Sequence, residues 1–484
     1  MSTPLLKVRD FQPRARAALN NPQIRRNFRS AMDGLMSKRQ AAFADWDLDD
    51  LRELGAAVRR RALSRLPELL EQLESNLLKQ GIQVHWADTG QLACDIVRDL
   101  CLSRGARHVI KGKSMVSEEM DLNHFLEAAG IATLESDLGE YIVQLAEETP
   151  SHIIMPAIHK NTDEISELMH AKTGTRRSHD VDYLTASARQ QLREQFMQAD
   201  VGISGVNFAV AETGTLCLVE NEGNGRLTTT APPCHIAVTG IEKVVEKLED
   251  VAPLLALLTR SATGQHITTY VNLISSPRRA GELDGPQEVH LVLVDSGRSG
   301  IYQDQELRDT LRCIRCGACM NHCPVYTRVG GHAYGTTYPG PIGQILMPHL
   351  LGLEDTGDLP SASTLCGACG EVCPVKIPIP QLLQRLRSES VDGDRLRPSR
   401  VAGHGVKRRW LERLIWSGWS RLHANPRWYR LAGHLLGRLR GLMPRRLGAW
   451  TDYRMAPQPA PRSLHQLMQE RAASHTANQQ EPLA

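Results

Sequence analysis

Long apolar stretches are missing from this sequence. No run approaches the roughly 18 residues needed to span a bilayer. Met1 to Asn20 carries Lys7, Arg9, Asp10, Arg14 and Arg16 with no continuous apolar core, which argues against a secretory signal. A dominant charge of one sign is missing as well. Against 57 lysines and arginines stand 54 aspartates and glutamates, a net +3, so composition gives no ground for nucleic-acid binding. There is no G-x-G-x-x-G after a strand pattern, and a nicotinamide or flavin site of the Rossmann kind is therefore unsupported. Apart from the two cysteine motifs described below, there is no internal repeat. These absences set the expectation of a cytoplasmic, soluble protein. Its 484 residues, 41% of them apolar, suffice for two or three domains with a sizeable core.

Cysteine, by contrast, is plentiful. Eleven of them in a reducing compartment need a reason other than disulfides. Cys94, Cys101, Cys217 and Cys234 are scattered among apolar neighbours and read as small buried hydrophobes. The other seven lie between Cys313 and Cys373.

The first motif is Cys313-Ile-Arg-Cys316-Gly-Ala-Cys319-Met-Asn-His-Cys323-Pro324, with spacing C-x2-C-x2-C-x3-C-P. Three closely spaced thiolates wrap one iron–sulfur cubane, while the cysteine before proline is directed to the other cluster. Gly317 permits a tight turn and Pro324 redirects the chain. Zinc ribbons use two CxxC pairs instead, which sets the zinc reading aside. The second motif, Cys366-Gly-Ala-Cys369-Gly-Glu-Val-Cys373-Pro374, has Ser363 where a first cysteine is expected. Reciprocal exchange then predicts two [4Fe–4S] clusters. One is complete, on Cys313, Cys316, Cys319 and Cys373. The other has three thiolates, Cys366, Cys369 and Cys323. Ser363, a water, a partner residue or a three-iron cluster would each resolve the missing corner.

Upstream, helix and strand patterns alternate. Leucines at helical spacing predict a helix over Leu51 to Gln80, ended by Gly81. Ile82, Val84 and Trp86 alternate as a short strand. Helices over Thr89 to Cys101 and Met120 to Ala129 are separated by strands at Val109-Ile110 and Ile131 to Leu134, and Ile153-Ile154-Met155 continues the series. Later strands are expected at Leu216 to Glu220, Ile236 to Val238, Val271 to Ile274 and His290 to Val294. The alternation implies an α/β fold with a mostly parallel sheet. Asp295 to Gly300 reads as a linker. Between the cysteine motifs, Gly343 to Leu351 looks helical, as in the all-helical ferredoxin modules of respiratory dehydrogenases.

From Lys376 the chain turns basic, with Arg385, Arg387, Arg395, Arg397, Arg400 and Lys407 to Arg409 facing few acids, and Trp410, Trp416, Trp419 and Trp428 follow. Three readings apply: contact with an anionic membrane surface, docking of an acidic redox partner, or solvated helices around a tryptophan seam. Met455 to Ala484 is polar and expected to be loose.

Asp137-Leu-Gly-Glu-Tyr-Ile-Val-Gln, Pro150-Ser-His-Ile-Ile-Met-Pro-Ala-Ile-His-Lys160, Ala211-Glu-Thr-Gly-Thr-Leu216 and Glu282-Leu-Asp-Gly-Pro-Gln-Glu-Val-His290 precede the cysteine motifs. In this order the sequence resembles the lactate-utilisation iron–sulfur protein family. The resemblance implies a lactate-utilisation (LUD) domain of the sugar-isomerase and CoA-transferase α/β type. It implies a role as electron-transfer subunit in the oxidation of L-lactate to pyruvate. Two partners are implied, a Cys-Cys-Gly domain protein and a second LUD-domain protein. No Cys-Cys-Gly occurs here, so the chemistry on lactate is not expected to lie wholly in this chain. The same relay serving glycolate, or a redox sensor or scaffold, are the alternatives.

The division expected is a helical region over 1–65, the LUD domain over 66–296, the ferredoxin-type module over 303–385 and a basic helical region over 386–475. Polar, glycine-bearing segments beside the strands suggest an anion site using Lys113, Glu212, Thr215 and Arg226. Ordinary strand-end polarity is the competing reading. His152, His159 and His170 read as surface or core histidines, since no second metal spacing surrounds them.

Overall fold

The computed structural model describes residues 11–392, 410–446, 451, 455–456 and 458–478. Two compact units are found, residues 1–406 and 407–484.

The first unit holds ten strands: β1 (Gln83–Ala87), β2 (His108–Lys111), β3 (Ala132–Glu135), β4 (Val201–Gly205), β5 (Phe208–Val210), β6 (Thr215–Glu220), β7 (Cys234–Gly240), β8 (Val244–Val245), β9 (Tyr270–Ile274) and β10 (Glu288–Val294). Six form an all-parallel sheet in the order β1-β10-β7-β4-β2-β3. Helices cover both faces, so the central strands are apolar on both sides. Ile236, Val238, Val292 and Val294 enter one core, and Ala237, Leu291 and Leu293 the other. The strands expected at Leu216 to Glu220 and Val271 to Ile274 belong to a second sheet, β8-β5-β6-β9, paired antiparallel at β5–β6 and β6–β9. Alternation within a strand does not say which sheet it joins.

Several local expectations are corrected. The helix over Leu51 to Gln80 is two, Leu48–Ser64 and Leu66–Lys79, divided at Arg65. Pro67 lacks an N–H and is tolerated only in a first turn, so it forces a new start. The helix over Met120 to Ala129 is likewise a pair, Met115–Glu119 and Leu122–Ala128, with Asp121 left-handed between them. Ile153 to Met155 is a loop and not a strand. Its amides are satisfied locally, Ile154 N and Met155 N donating to His152 Nδ1 at 3.0 and 3.1 Å. Asp295 to Gly300 is no loose linker: Ser296 and Gly297 turn the chain, and helix Arg298–Gln303 begins with a fully buried arginine.

Residues 307–392 carry short helices and no strand. Gly340–Leu351 is helical, as expected, and buried over most of its length. The N-terminal helices Phe11–Leu19, Pro22–Ala42 and Leu48–Ser64 pack onto this cysteine-bearing region. The Phe28 ring stands edge-on to Tyr326 with centroids 5.5 Å apart, and Arg14 Nε donates to Ala333 O at 3.1 Å. Burying an aromatic such as Phe28 contributes about 2 to 3 kcal/mol, which fastens the helices in place.

In the second unit the helices are Trp410–Ala424, Pro426–Leu439 and Leu464–Asn478, so part of the C-terminal stretch expected to be loose is helical. The basic run Arg395, Arg397, Arg400 and Lys407 to Arg409 lies outside the described residues. No described helix is long and apolar enough to cross a membrane.

Candidate metal centre

The two cysteine motifs follow one backbone path. Arg315 (φ 61°) and Gly317 (φ 75°) are left-handed on either side of Cys316, and Leu365 (φ 55°) and Gly367 (φ 89°) flank Cys366 in the same way. A left-handed non-glycine residue costs about 1 to 2 kcal/mol. Its recurrence in an arginine and a leucine marks a geometry that the site demands. Each loop leads into one helical turn, Ala318–Asn321 or Ala368–Glu371, which carries Cys319 or Cys369.

Amides point at the sulfurs. Cys313 Sγ accepts from Arg315 N at 3.4 Å, Cys323 Sγ from Tyr326 N at 3.5 Å and Cys373 Sγ from Ile377 N at 3.3 Å. Cys313, Cys316, Cys319 and Cys373 line a single cavity, walled by Ile153, Ile314, Ile342, Val375, Ile377 and Ile379. Cys323, Cys366 and Cys369 influence one another electrostatically as a second group, and Cys366 is exposed. Burial pushes the Cys373 thiol up to about 11 and Cys369 to about 12, with Cys316 and Cys319 higher still. A thiolate set in this setting requires metal charge to hold it ionised.

The surroundings of the first group fit an anionic cluster. The buried Nε–H groups of Arg39, Arg312 and Arg315 have no hydrogen-bond partner among the described residues, an expensive state for a charged donor. All three guanidiniums act electrostatically on cysteines of this group. Arg59 is buried and donates to Val244 O (2.8 Å), Leu311 O (3.1 Å), Arg312 O (3.4 Å) and Glu242 O. Arg52 Nε donates to Cys373 O at 3.0 Å, and Arg39 Nη2 to Val372 O at 3.4 Å. Arg315 pairs with Glu242 at 3.3 Å, and Glu242 also holds Arg298 at 2.6 Å. Burial and the like charge of Arg315 bring the Lys243 ammonium down to about 7. Sulfide and thiolate acceptors would satisfy the orphaned N–H groups, as hydrogen bonds to cluster sulfurs do.

Glu242 and Lys243 follow the C-terminal end of β7, so the cysteine region sits at the strand-end crevice where open α/β sheets hold their ligands. His152 closes the junction. Its Nδ1 accepts two amides, so Nε2–H donates to Asn321 Oδ1 at 3.0 Å, and burial lowers its pKa to about 4, keeping the ring neutral.

None of the arginines from the N-terminal helices was singled out in the sequence. Arg59 carried one signal: it falls in the apolar stripe of its helix, with Leu51, Gly55 and Ala62. The four scattered cysteines are buried, as expected. Lys113, Glu212, Thr215 and Arg226 share no hydrogen bond or ion pair with one another. Lys113 Nζ donates to Ile154 O (2.8 Å), Glu212 Oε2 accepts from Leu248 N (3.1 Å) and Thr215 Oγ1 meets Ser275 Oγ (3.1 Å). The helix start at Arg226 is taken by an internal anion, Glu220, which accepts from Gly223 N, Gly225 N and Arg226 N at 2.6, 3.3 and 2.9 Å. His170 Nδ1 meets Thr175 O, and His159 is hydrogen-bonded at both nitrogens, to Ser151 and Glu148. His332, from the cysteine region, stands edge-on to His159 with ring centroids 4.5 Å apart, a neighbour no local spacing announces.

Family models match in three places: the LUD domain over residues 70–294, a 4Fe-4S dicluster domain over 309–377 and the C-terminal region of lactate utilisation protein B over 385–473. Lactate utilization protein B of Shouchella clausii is 41% identical over 470 residues, covering 94% of this chain and 96% of that one. The chain belongs to the lactate utilization protein B family. The Bacillus licheniformis member is 44% identical over 384 residues, 79% of this chain and 80% of its own. An Escherichia coli K12 relative named as an uncharacterized electron transport protein, YkgF, is 44% identical over 381 residues, 78% of this chain and 80% of its own. A crystal structure of a DUF162 family protein from Deinococcus radiodurans aligns with 47% of this chain and 98% of its own at 18% identity and a TM-score of 0.27. Within the lactate utilization protein B family the α/β part of this chain is the LUD domain, and its cysteine region is an iron–sulfur module.

Proposed function

We propose that this chain is the iron–sulfur electron-transfer subunit of a complex that oxidises L-lactate to pyruvate. Cys313, Cys316, Cys319 and Cys373 hold one [4Fe–4S] cluster, and Cys323, Cys366 and Cys369 hold a second. The observation that carries this reading is the shared cavity: Cys373, from the second motif, lines it with the first three cysteines of the first motif. Clusters passing single electrons need no substrate pocket of their own, and the organic chemistry belongs elsewhere. The partners that the family resemblance implies for this role are a Cys-Cys-Gly domain protein and a second LUD-domain protein. The exposed edge at Cys366 suits exchange of electrons with such a partner. The test is anaerobic purification with iron and sulfide analysis, then addition of L-lactate with and without the partner proteins. Two clusters per chain, reduced by L-lactate only when the partners are present, is the expected result. Pyruvate formed steadily by the pure chain with an artificial acceptor refutes it. Reduction by glycolate and not by L-lactate would reassign the substrate.

The protein works in the cytoplasm and, on this reading, against the inner face of the membrane. The helices Trp410–Ala424 and Pro426–Leu439 support it: neither has a buried residue, and Trp410, Trp416, Trp419 and Trp428 are exposed. Trp428, Leu431, Leu435 and Leu439 share one face, beside a stripe of Arg427, Arg430, His434 and Arg438. From Trp410 to Arg446 there are eight arginines and one carboxylate, Glu412. Such helices lie in the interface of anionic bilayers. Co-sedimentation of the whole protein with phosphatidylglycerol vesicles, but not with phosphatidylcholine vesicles, checks this. Equal recovery in both supernatants overturns it.

A further inference from the structure

The two thiol groups lie in unlike electrostatic surroundings. Around the first, the buried guanidiniums of Arg298 and Arg315 are balanced by Glu119 and Glu242. Among the described residues Arg39 and Arg59 have no carboxylate partner in an ion pair, and they donate instead to carbonyls beside Cys373 and Cys313. Arg52 donates to the carbonyl of Cys373 itself but is paired with Asp49 at 3.3 Å, so it adds no unpaired charge. Lys243, 6% exposed, makes no hydrogen bond or ion pair among the described residues. Guanidiniums keep their charge at any physiological pH, so the positive excess is fixed. Beside the second group Arg387 donates to Ser363 O at 2.6 Å and Arg52 Nη2 to Gly370 O at 3.3 Å, and Cys366 faces solvent.

A [4Fe–4S] core held by four thiolates is an anion that gains one further negative charge on reduction, so nearby fixed cations favour the reduced state. Burial of the first group acts in the opposite direction, since low polarity disfavours added charge. That same low polarity, however, strengthens the pull of cations fixed within it. With unpaired guanidiniums on both flanks, the attraction prevails.

We propose that the cationic shell of Arg39, Arg59 and Arg315 makes the enclosed group the more readily reduced of the two, giving it the higher reduction potential. This rests on the seven cysteines being ligands of two clusters.

The test is a potentiometric titration of the anaerobic holoprotein followed by electron paramagnetic resonance, after iron and sulfide analysis has counted the clusters. Arg39→Gln should shift the higher of the two potentials to a more negative value and leave the lower in place. Arg39→Lys should restore most of the shift, because it keeps the charge. Ser363→Cys should move only the lower potential. Should Arg39→Gln assemble poorly, Arg315→Gln reads the same shift from a separate side chain. Movement of the lower potential, or of neither, in both glutamine variants overturns the proposal. A single cluster per chain would instead refute the ligand reading beneath it.

Discussion

Ser363 Oγ accepts the Leu365 amide hydrogen at 3.1 Å, the same two-residue bond that Cys313 Sγ accepts from Arg315 N at 3.4 Å. The serine thus stands in the second motif where the first ligand stands in the first. An alkoxide is a harder donor than a thiolate and its proton is far less acidic, so iron at that corner is held less firmly. Brief air oxidation is expected to give a three-iron signal in electron paramagnetic resonance. The signal should weaken in Ser363→Cys. A wild type that stays fully four-iron, with no change in the variant, would mean that another group closes the corner.

The seven clustered cysteines and the four scattered ones should respond oppositely to substitution. Cys316→Ala or Cys369→Ala should lower iron content per chain, measured by elemental analysis. Cys94→Ala removes only a buried sulfur whose thiol is pushed up to about 12 by burial, and should leave visible absorbance intact at a cost of about 1 kcal/mol. Iron retained in full by Cys316→Ala would remove it from the ligand set.

Arg59 satisfies four carbonyls from two parts of the fold. Arg59→Met leaves those oxygens buried without their donor, and a loss of about 3 to 5 kcal/mol is expected. A lowered urea midpoint, together with faster proteolysis of the N-terminal helices, is the measurement. An unchanged midpoint would show that water reaches the vacated site.

Glu140 is buried with neither carboxylate oxygen hydrogen-bonded, and burial followed by the charge of Glu135 raises its pKa well above the usual value. The folded state therefore keeps a proton that the unfolded chain releases near pH 4.5. Stability from this group is fully present below that pH and declines as pH rises towards the folded value. Glu140→Gln keeps the shape without the ionisation, so thermal midpoints compared at pH 6 and pH 8 should fall less in the variant. An equal fall in both proteins would assign the pH dependence to other groups.

What could be read from the sequence was whatever is local. The spacing of Cys313 to Pro324 and of Cys366 to Pro374 specifies its own turns, and the structure reproduces those turns as matching left-handed pairs. The parallel sheet was legible for a similar reason, since doubly buried strands such as β7 and β10 are nearly continuous apolar runs. Polarity proved a poorer guide. The start of helix Asn224–Thr230 looked open to an anion, but Glu220 fills it from within the fold. The cationic surroundings were out of reach because Arg39, Arg52 and Arg59 meet the cysteines across some 250 to 330 positions of sequence. No motif spans such a separation.

The origin of those arginines bears on how such a protein can change through recombination. The thiols come from one stretch of chain and much of their counter-charge from another, while the α/β domain supplies Lys243 and the Glu242 that pairs with Arg315. A chimera that placed this ferredoxin-type module behind foreign N-terminal helices and a foreign α/β domain would retain every ligand, with Arg312 and Arg315, and lose Arg39, Arg59 and the Glu242 that holds Arg315. Boundaries drawn from motifs alone therefore misplace the inheritable unit. Here that unit runs from the first helices through Cys373, and its parts must be exchanged together.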